Sequence, residues 1–191
     1  MVNMTHSTNG EGVRGLLKRI ESLSSQKVAV GIPASESKRA DSDIDNADLA
    51  YIHTHGVRPK AMRDEMQPEI NKGTPYSTVL QMYIHEHGSI NYQVPPRPII
   101  EPAIENAKSD MAELLGRTAK TAAEDGDIQK SLENVGMAAQ SDVKEWFTNP
   151  KNGWPENTPS TIKAKGSDKP LIDTGALRNA ITFVIQEDEN D

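Results

Sequence analysis

One short motif and two histidine pairs contain the residue types in this sequence that could support chemistry. Asp173-Thr174-Gly175 has the composition of an aspartic-protease motif, in which two such carboxylates share a proton. His53/His55 and His85/His87 are imidazole pairs of the kind that bind transition metals. The elements that carry these residues decide whether either chemistry is available.

The Asp-Thr-Gly motif is predicted to open a helix rather than to lie in a loop between strands. Helical spacing follows it to residue 180, and an alternating apolar stretch, ITFVI, occupies 181–185. An aspartic protease places its carboxylates on tight loops in a β-rich fold, whereas helices dominate this prediction. We therefore expect Asp173 or Thr174 to cap the helix by accepting a hydrogen bond from the amides of 175–178. Such a cap is worth about 1 kcal/mol.

The histidine pairs belong to a repeated phrase, YIHxHG, at 51–56 and 83–88, which matches at five of six positions. Each copy is predicted to be the end of a helix that the glycine terminates. Side chains two residues apart on a helix diverge by about 200°, so neither pair is expected to share one ion. A metal-dependent hydrolase that uses the four paired histidines is the alternative functional hypothesis.

Composition restricts the class of protein. The formal charge is -7 and the pI about 5.3, which argues against a protein that coats nucleic acid. Hydrophobic residues make up only 35%, so neighbouring subunits are expected to supply some of the stability. The absence of cysteine excludes disulfides and thiolate metal sites. No segment has the length and apolar character of a membrane span or signal peptide, which predicts a protein made and used in a reducing cytoplasm.

Other motifs for catalysis are missing from the sequence. It contains no G-x-S-x-G, no Gly-rich phosphate loop and no Walker-type lysine, and its acidic runs lack EF-hand spacing. Arg58, Lys60 and Arg63 form a small basic segment, which supports a third hypothesis of a nucleic-acid-binding module. No enzyme activity and no cofactor are expected.

Hydrophobic spacing predicts an α+β fold. Helical periodicity appears at 13–20 and, over two long stretches, at 100–123 and 128–147, which a short break should make an antiparallel pair. In residues 27–33 and 181–185, apolar side chains recur at every second position, which is typical of strands. We expect the two strands to form one small antiparallel sheet packed by the helices.

The predicted domain boundaries leave most of the chain in one unit. Residues 12–187 form a single α+β domain, between a flexible tail at 1–11 and an acidic tail at 188–191. A polar, proline-containing arm is inserted at about 57–75. Extended loops are predicted at 34–46, whose last Asp or Asn can cap the next helix, and at 148–170, with one helical turn at 160–165.

Four phrases, taken in order, resemble the head-to-tail joining and tail-completion proteins of tailed bacteriophages related to the HK97 neck family. They are YIHEHGS at 83–89, VPPRP at 94–98, a Trp154-Pro155 loop followed by PSTIK, and PLIDTGALRNAI at 170–181. Family members typically read hEfG, iPpRPFlrpa and pLidTGaLrnsit. The resemblance covers about residues 80–185, with His87 where an aromatic residue is usual and Ile99 where Phe is usual.

The resemblance implies a virion structural protein without catalysis. Such a protein forms a homo-oligomeric, hexameric ring in the neck, between connector or head-closure proteins and tail-tube or tail-terminator proteins. Double-stranded DNA passes through the lumen without specific binding, and the net negative charge suits that role. The loops at 34–46, 57–75 and 148–170 are expected to supply contacts between subunits. The structural or interface residues that it implies are Gly88, Pro95, Pro96, Arg97, Pro98, Trp154, Pro155, Asp173, Thr174, Gly175, Leu177 and Arg178.

Overall fold

A computed structural model describes residues 10–40, 42–88, 94–124 and 126–187. Residues 1–9 and 188–191, which were predicted to be tails, lie outside the described residues, as does Ser89 of the first quoted phrase. The helices and strands, with one short 3-10 helix, are, in chain order: α1 Gly10–Ser24, β1 Gln26–Gly31, α2 Ala34–Ser37, α3 Asn46–His55, α4 Lys60–Asn71, α5 Tyr76–His87, α6 Ile100–Ala123, α7 Ile128–Trp146, 3-10 Pro150–Asn152, α8 Pro159–Lys165, α9 Ala176–Asn179 and β2 Thr182–Glu187.

The two strands form the predicted antiparallel sheet. β1 and β2 pair with Val28 opposite Ile185 and Val30 opposite Phe183, so these four apolar side chains share one face. This sheet packs against α7, where the ring of Phe183 lies over Gly136. A Cβ at Gly136 would be 2.1 Å from that ring, so the close packing requires glycine at this position. The α+β prediction is confirmed.

The long helices α6 and α7 pack closely against each other as an antiparallel pair, as predicted. Asp127 begins α7 by accepting a hydrogen bond on its carboxylate from the amide of Lys130, at 2.9 Å. The main hydrophobic core lies at the end of this pair, where α7 ends and α6 begins. It consists of Ile99, Ala103, Val143, Trp146, Phe147, Trp154, Leu177 and Ile181.

The structure adds detail at two predicted boundaries. Helix α1 begins at Gly10, so the predicted flexible tail at 1–11 includes the first residues of the helix. The predicted arm at 57–75 contains a helix, α4, and extends beyond its expected end because α5 packs on α4. The two helices, which we call the arm, have a small core of Met62, Met66 and Val79 that the polar, proline-containing sequence concealed. A bridge between Val57 and Val94, with an N···O distance of 2.8 Å, closes the base of the arm.

The other loops follow the predictions more closely. The carboxylate of Asp45 accepts a hydrogen bond from the amide of Asp48 at 2.8 Å and caps α3, as expected from the end of the 34–46 loop. That hydrogen bond is the main reason why the pKa of Asp45 is lowered. The loop also contains α2, and the helical turn predicted at 160–165 is α8. In the described part of the chain, no helix is both long enough and apolar enough to span a bilayer.

Candidate functional site

Three of the four phrases that carry the family resemblance meet at one place in the fold. The VPPRP segment at 94–98, the loop at 154–156 and the turn at 173–178 all contribute to the main core or to a surface cavity of about 410 Å³ beside it. We call this meeting point the joint. The remaining phrase, at 83–88, lies in the arm.

Arg97 connects the segment at 94–98 to two other parts of the chain. Its backbone amide donates to the carbonyl of His53, at 2.6 Å. Its Nε and Nη2 donate to the carbonyl of Pro155 at 3.0 and 2.7 Å, and Nη2 also donates to that of Glu156, at 3.1 Å. The side chain is only 6% exposed, and burial lowers the pKa of its guanidinium. Pro95, Pro96 and Pro98 restrict the flanking backbone to extended conformations, which presents the arginine to this loop.

Trp154 makes the reciprocal connection. Its indole Nε1 donates to the carbonyl of Pro98 at 3.0 Å, and its ring packs edge-on against Phe147 with centroids 5.6 Å apart. The Trp154-Pro155 dipeptide is therefore held at both ends: the indole binds the proline-rich segment, and the Pro155 carbonyl binds Arg97. Because charge-assisted and buried hydrogen bonds are the costly ones to break, this pair of contacts should fix the loop on the core.

The Asp-Thr-Gly turn differs from the prediction. The residue that caps α9 is Gly175, with φ 83°, so the helix begins only at Ala176 and Asp173 is too far back to be the N-cap. The predicted capping role of Asp173 is wrong, and its side chain is exposed beside the cavity. The hydroxyl of Thr174 instead accepts a long hydrogen bond, 3.3 Å, from the Ala176 amide. This confirms the prediction that Thr174 accepts a hydrogen bond from an amide of residues 175–178.

The residues after the turn attach α9 to the rest of the protein. Leu177 is buried in the main core. The Nε of Arg178 donates to the carbonyl of Lys144 at 2.8 Å, in the last turn of α7, where carbonyls lack partners within the helix. The turn is therefore a fixed connection between α7 and β2.

Sequence reasoning did not identify Lys165, which organises the segment before the turn. Its ammonium donates to the carbonyl of Ile172 at 2.8 Å and also to that of Lys169. These contacts bracket Leu171, a non-glycine residue with φ 57°, a conformation that costs free energy unless its surroundings hold it. No sequence pattern reports such a contact, because its acceptors are backbone carbonyls that any residue carries.

His53 lies at the joint, at the edge of the cavity. Burial and the positive charge of Arg97 lower the pKa of its imidazole, which favours the neutral ring. Its Nδ1 is buried and has no hydrogen-bond partner among the described residues. The cavity wall contains the charged side chains of Lys165 and Arg97, and both donate to loop carbonyls. The charged side chains at the joint thus mainly donate hydrogen bonds to backbone carbonyls.

The two members of each histidine pair have different surroundings. His55 stacks on Tyr51 with ring centroids 4.1 Å apart, on the exposed side of α3, while His53 is half-buried. His87 stacks on Tyr83 in the same way, and its Nε2 lies 2.8 Å from a carboxylate oxygen of Glu65.

One group of residues in the arm could hold a metal ion. Potential ligand atoms of Glu65, Glu86 and His87, all exposed, lie within 4.8 Å of one another. The set takes one histidine from one pair and two glutamates, and so differs from the four-histidine set that the sequence suggested.

The positive charges of the basic segment are balanced by an equal number of acidic residues in and around the arm. Residues 58–88 contain four basic side chains and four acidic ones: Arg58, Lys60, Arg63 and Lys72, and Asp64, Glu65, Glu69 and Glu86. Arg58 lies over the ring of Tyr76, 5.4 Å from its centroid. Nucleic-acid binding needs an excess of positive charge, which residues 58–88 taken together lack.

Comparisons with known proteins found no matching family model, no matching curated protein and no matching solved structure.

Proposed function

We propose that this protein is a virion structural component of a tailed bacteriophage, without enzymatic activity. It forms a ring at the head–tail interface, expected to be hexameric, that joins the connector to the tail and lets DNA pass. The observation that carries the proposal is the ordered set of phrases that resembles the neck and tail-completion family, three of which meet in the joint.

The chemistry of the joint supports a structural role for those phrases. Arg97, Trp154 and Arg178 all bind backbone carbonyls of distant segments, at 2.7 to 3.1 Å. Such contacts hold loops in fixed positions, which a subunit needs when its loops must match neighbours on several sides. The overall charge of -7 supports passage of DNA without adhesion.

The experiment that tests the proposal removes the protein from an assembling phage. An amber mutation in its gene should yield filled heads and free tails that are not joined, as seen by negative-stain microscopy. Purified protein added to the mutant extract should restore joined particles and should be found in them by mass spectrometry. Normal joined particles in the mutant, or particles that lack the protein in the wild type, would refute the role.

The metal-dependent hydrolase remains the alternative, and one observation favours a metal site: the group formed by Glu65, Glu86 and His87. Elemental analysis of the purified protein tests it. Stoichiometric zinc that the variant His87→Ala loses, while His55→Ala keeps it, would support the alternative. Metal content at background level in the unaltered protein would end it.

A further inference from the structure

Helix α1 has an apolar side that the rest of the described chain leaves exposed. None of its described side chains is buried, and Val13, Leu17 and Ile20 are 51%, 60% and 48% exposed. Their spacing, i, i+4 and i+7, places them in one row on the helix. Arg14 and Lys18 border this row, and neither forms an ion pair with a described residue. We call these five residues the α1 ridge.

A second surface of the same chain has complementary properties. Burial raises the pKa of Asp142 in α7, and the negative charges of Glu145 in α7 and Asp110 in α6 raise it further. The three carboxyl groups therefore lie close to one another. Leu114 and Ala138 are half-buried and lie one helical turn from Asp110 and Asp142, so the antiparallel packing of α6 and α7 puts them on the same side of the pair. We call these five residues the acidic groove. It combines two half-buried apolar side chains with three carboxylates that repel one another.

The ridge cannot reach the acidic groove of its own chain. Arg19 fixes α1 at the far end of α6, where its Nε donates to the Ala122 carbonyl at 2.8 Å. The groove also lies on another side of the helix pair: Ala138 and Glu145 are about half a helical turn around α7 from Gly136, which faces the sheet. The two surfaces therefore point in different directions.

We propose that the α1 ridge binds the acidic groove of a second copy of this chain. The occupant is identified by charge: a helix with an apolar row bordered by two cations suits a surface with two apolar side chains and three carboxylates. A contact between different surfaces of identical subunits is heterologous, and heterologous contacts generate closed rings when the rotation closes. The inference rests on the proposed ring and identifies the contact that would build it.

Charge reversal on the full-length protein tests the contact. One variant carries Arg14→Glu and Lys18→Glu, and the other carries Asp110→Arg and Glu145→Arg; all four residues are exposed. Each variant alone would oppose like charges at every contact, so we expect its assembly, measured by sedimentation velocity and native mass spectrometry, to weaken at least about tenfold. In an equimolar mixture each ridge meets a groove of opposite charge, so assembly should return with the two chains in alternation.

Two further variants complete the design. Leu17→Ser with Ile20→Ser should also dissociate the assembly, because it removes the apolar row while keeping the charges. The matched control exchanges the charges of an exposed pair elsewhere on α6, Glu105→Lys with Lys108→Glu, and should assemble like the unaltered chain. A variant that assembles normally despite charge reversal, or a mixture that stays dissociated, would overturn the contact.

These outcomes are distinct from failure of the proposed function. Rings of the unaltered protein that tolerate every ridge and groove variant would overturn the contact alone. An unaltered chain that stays monomeric at all concentrations and is missing from particles would overturn the ring proposal as well.

Discussion

The phrase YIHxHG occurs twice, and the two copies have the same local structure. In each, the helix ends at the second histidine and the amide of the glycine donates to the isoleucine carbonyl at 2.8 Å: Gly56 to Ile52 and Gly88 to Ile84. Each also stacks its tyrosine on the second histidine. Local sequence therefore determines a common helix end.

The surroundings of the two copies differ. The first copy lies at the joint: the His53 carbonyl accepts from the Arg97 amide, and a Cβ at Gly56 would lie 2.6 Å from the Val94 carbonyl oxygen. The second copy ends a helix of the arm, where His85 is exposed and a Cβ at Gly88 would meet no atom of the described residues within 4 Å. The same six-residue pattern thus has a structural role in the body that it lacks in the arm.

The glycines should show the largest difference. Gly56 has φ 69° and ψ 174°, and Gly88 has φ 78° and ψ -125°, so alanine at either position is strained by about 1–3 kcal/mol. At Gly56 the methyl group would also overlap the backbone of Val94 and Pro96, which raises the expected loss above about 3 kcal/mol. Urea unfolding of Gly56→Ala and Gly88→Ala measures both losses. Equal losses would show that the joint does not constrain the first copy.

Arginines beside the two copies provide the next test. Arg97→Met would leave the Pro155 and Glu156 carbonyls without their donor, at a cost of about 2–3 kcal/mol. Arg58→Met in the arm would lose a contact with the Tyr76 ring, a 3.4 Å hydrogen bond to Gln67 and a weak 3.9 Å contact with the sulfur of Met66, and we expect a loss of about 1 kcal/mol. Thermal unfolding of both variants compares them, and a larger effect for Arg58 would contradict this ranking.

The first histidine of the first copy, His53, should make stability depend on pH. Because the pKa of His53 is lowered from 6.5 in the folded state, the unfolded chain takes up its proton first as the pH falls. The free energy of unfolding should therefore decrease from about pH 6.5 down through the lowered pKa and show no contribution from His53 above that range.

One substitution isolates this contribution. His53→Gln should flatten the pH dependence of the free energy of unfolding below pH 6.5. Unfolding measured in urea at several pH values gives the slopes. A slope that His53→Gln leaves unchanged would exclude His53 as its source.

The smallest effect is expected from the ion pair of the second copy. His87 Nε2 and Glu65 Oε1 are 2.8 Å apart, but both side chains are more than 40% exposed, at 41% and 44%. Glu65→Gln should reduce stability by less than about 1 kcal/mol, and added salt should shrink the effect further. Thermal unfolding at low and high salt checks this, and a larger loss would show that the arm depends on the pair.

Local and periodic features of the sequence predicted much of the fold. The spacing in α6, α7, β1 and β2 identified these elements, because one side of each must face a core. The arm was harder to predict: its prolines and charges hid the row of Met62 and Met66 that packs against Val79. The predicted cap at Asp173 failed because Gly175 adopts a positive φ and moves the start of α9 by two residues.

By itself, the sequence determined α6, α7, the two strands and the two glycine-terminated helix ends, since these depend on neighbours within a few residues. Only the tertiary structure decided which copy of YIHxHG is constrained, that Arg97 and Trp154 hold the same loop, and that α1 leaves its apolar row uncovered. Those outcomes depend on segments far apart in the chain, and on backbone carbonyls that are the same for every residue type.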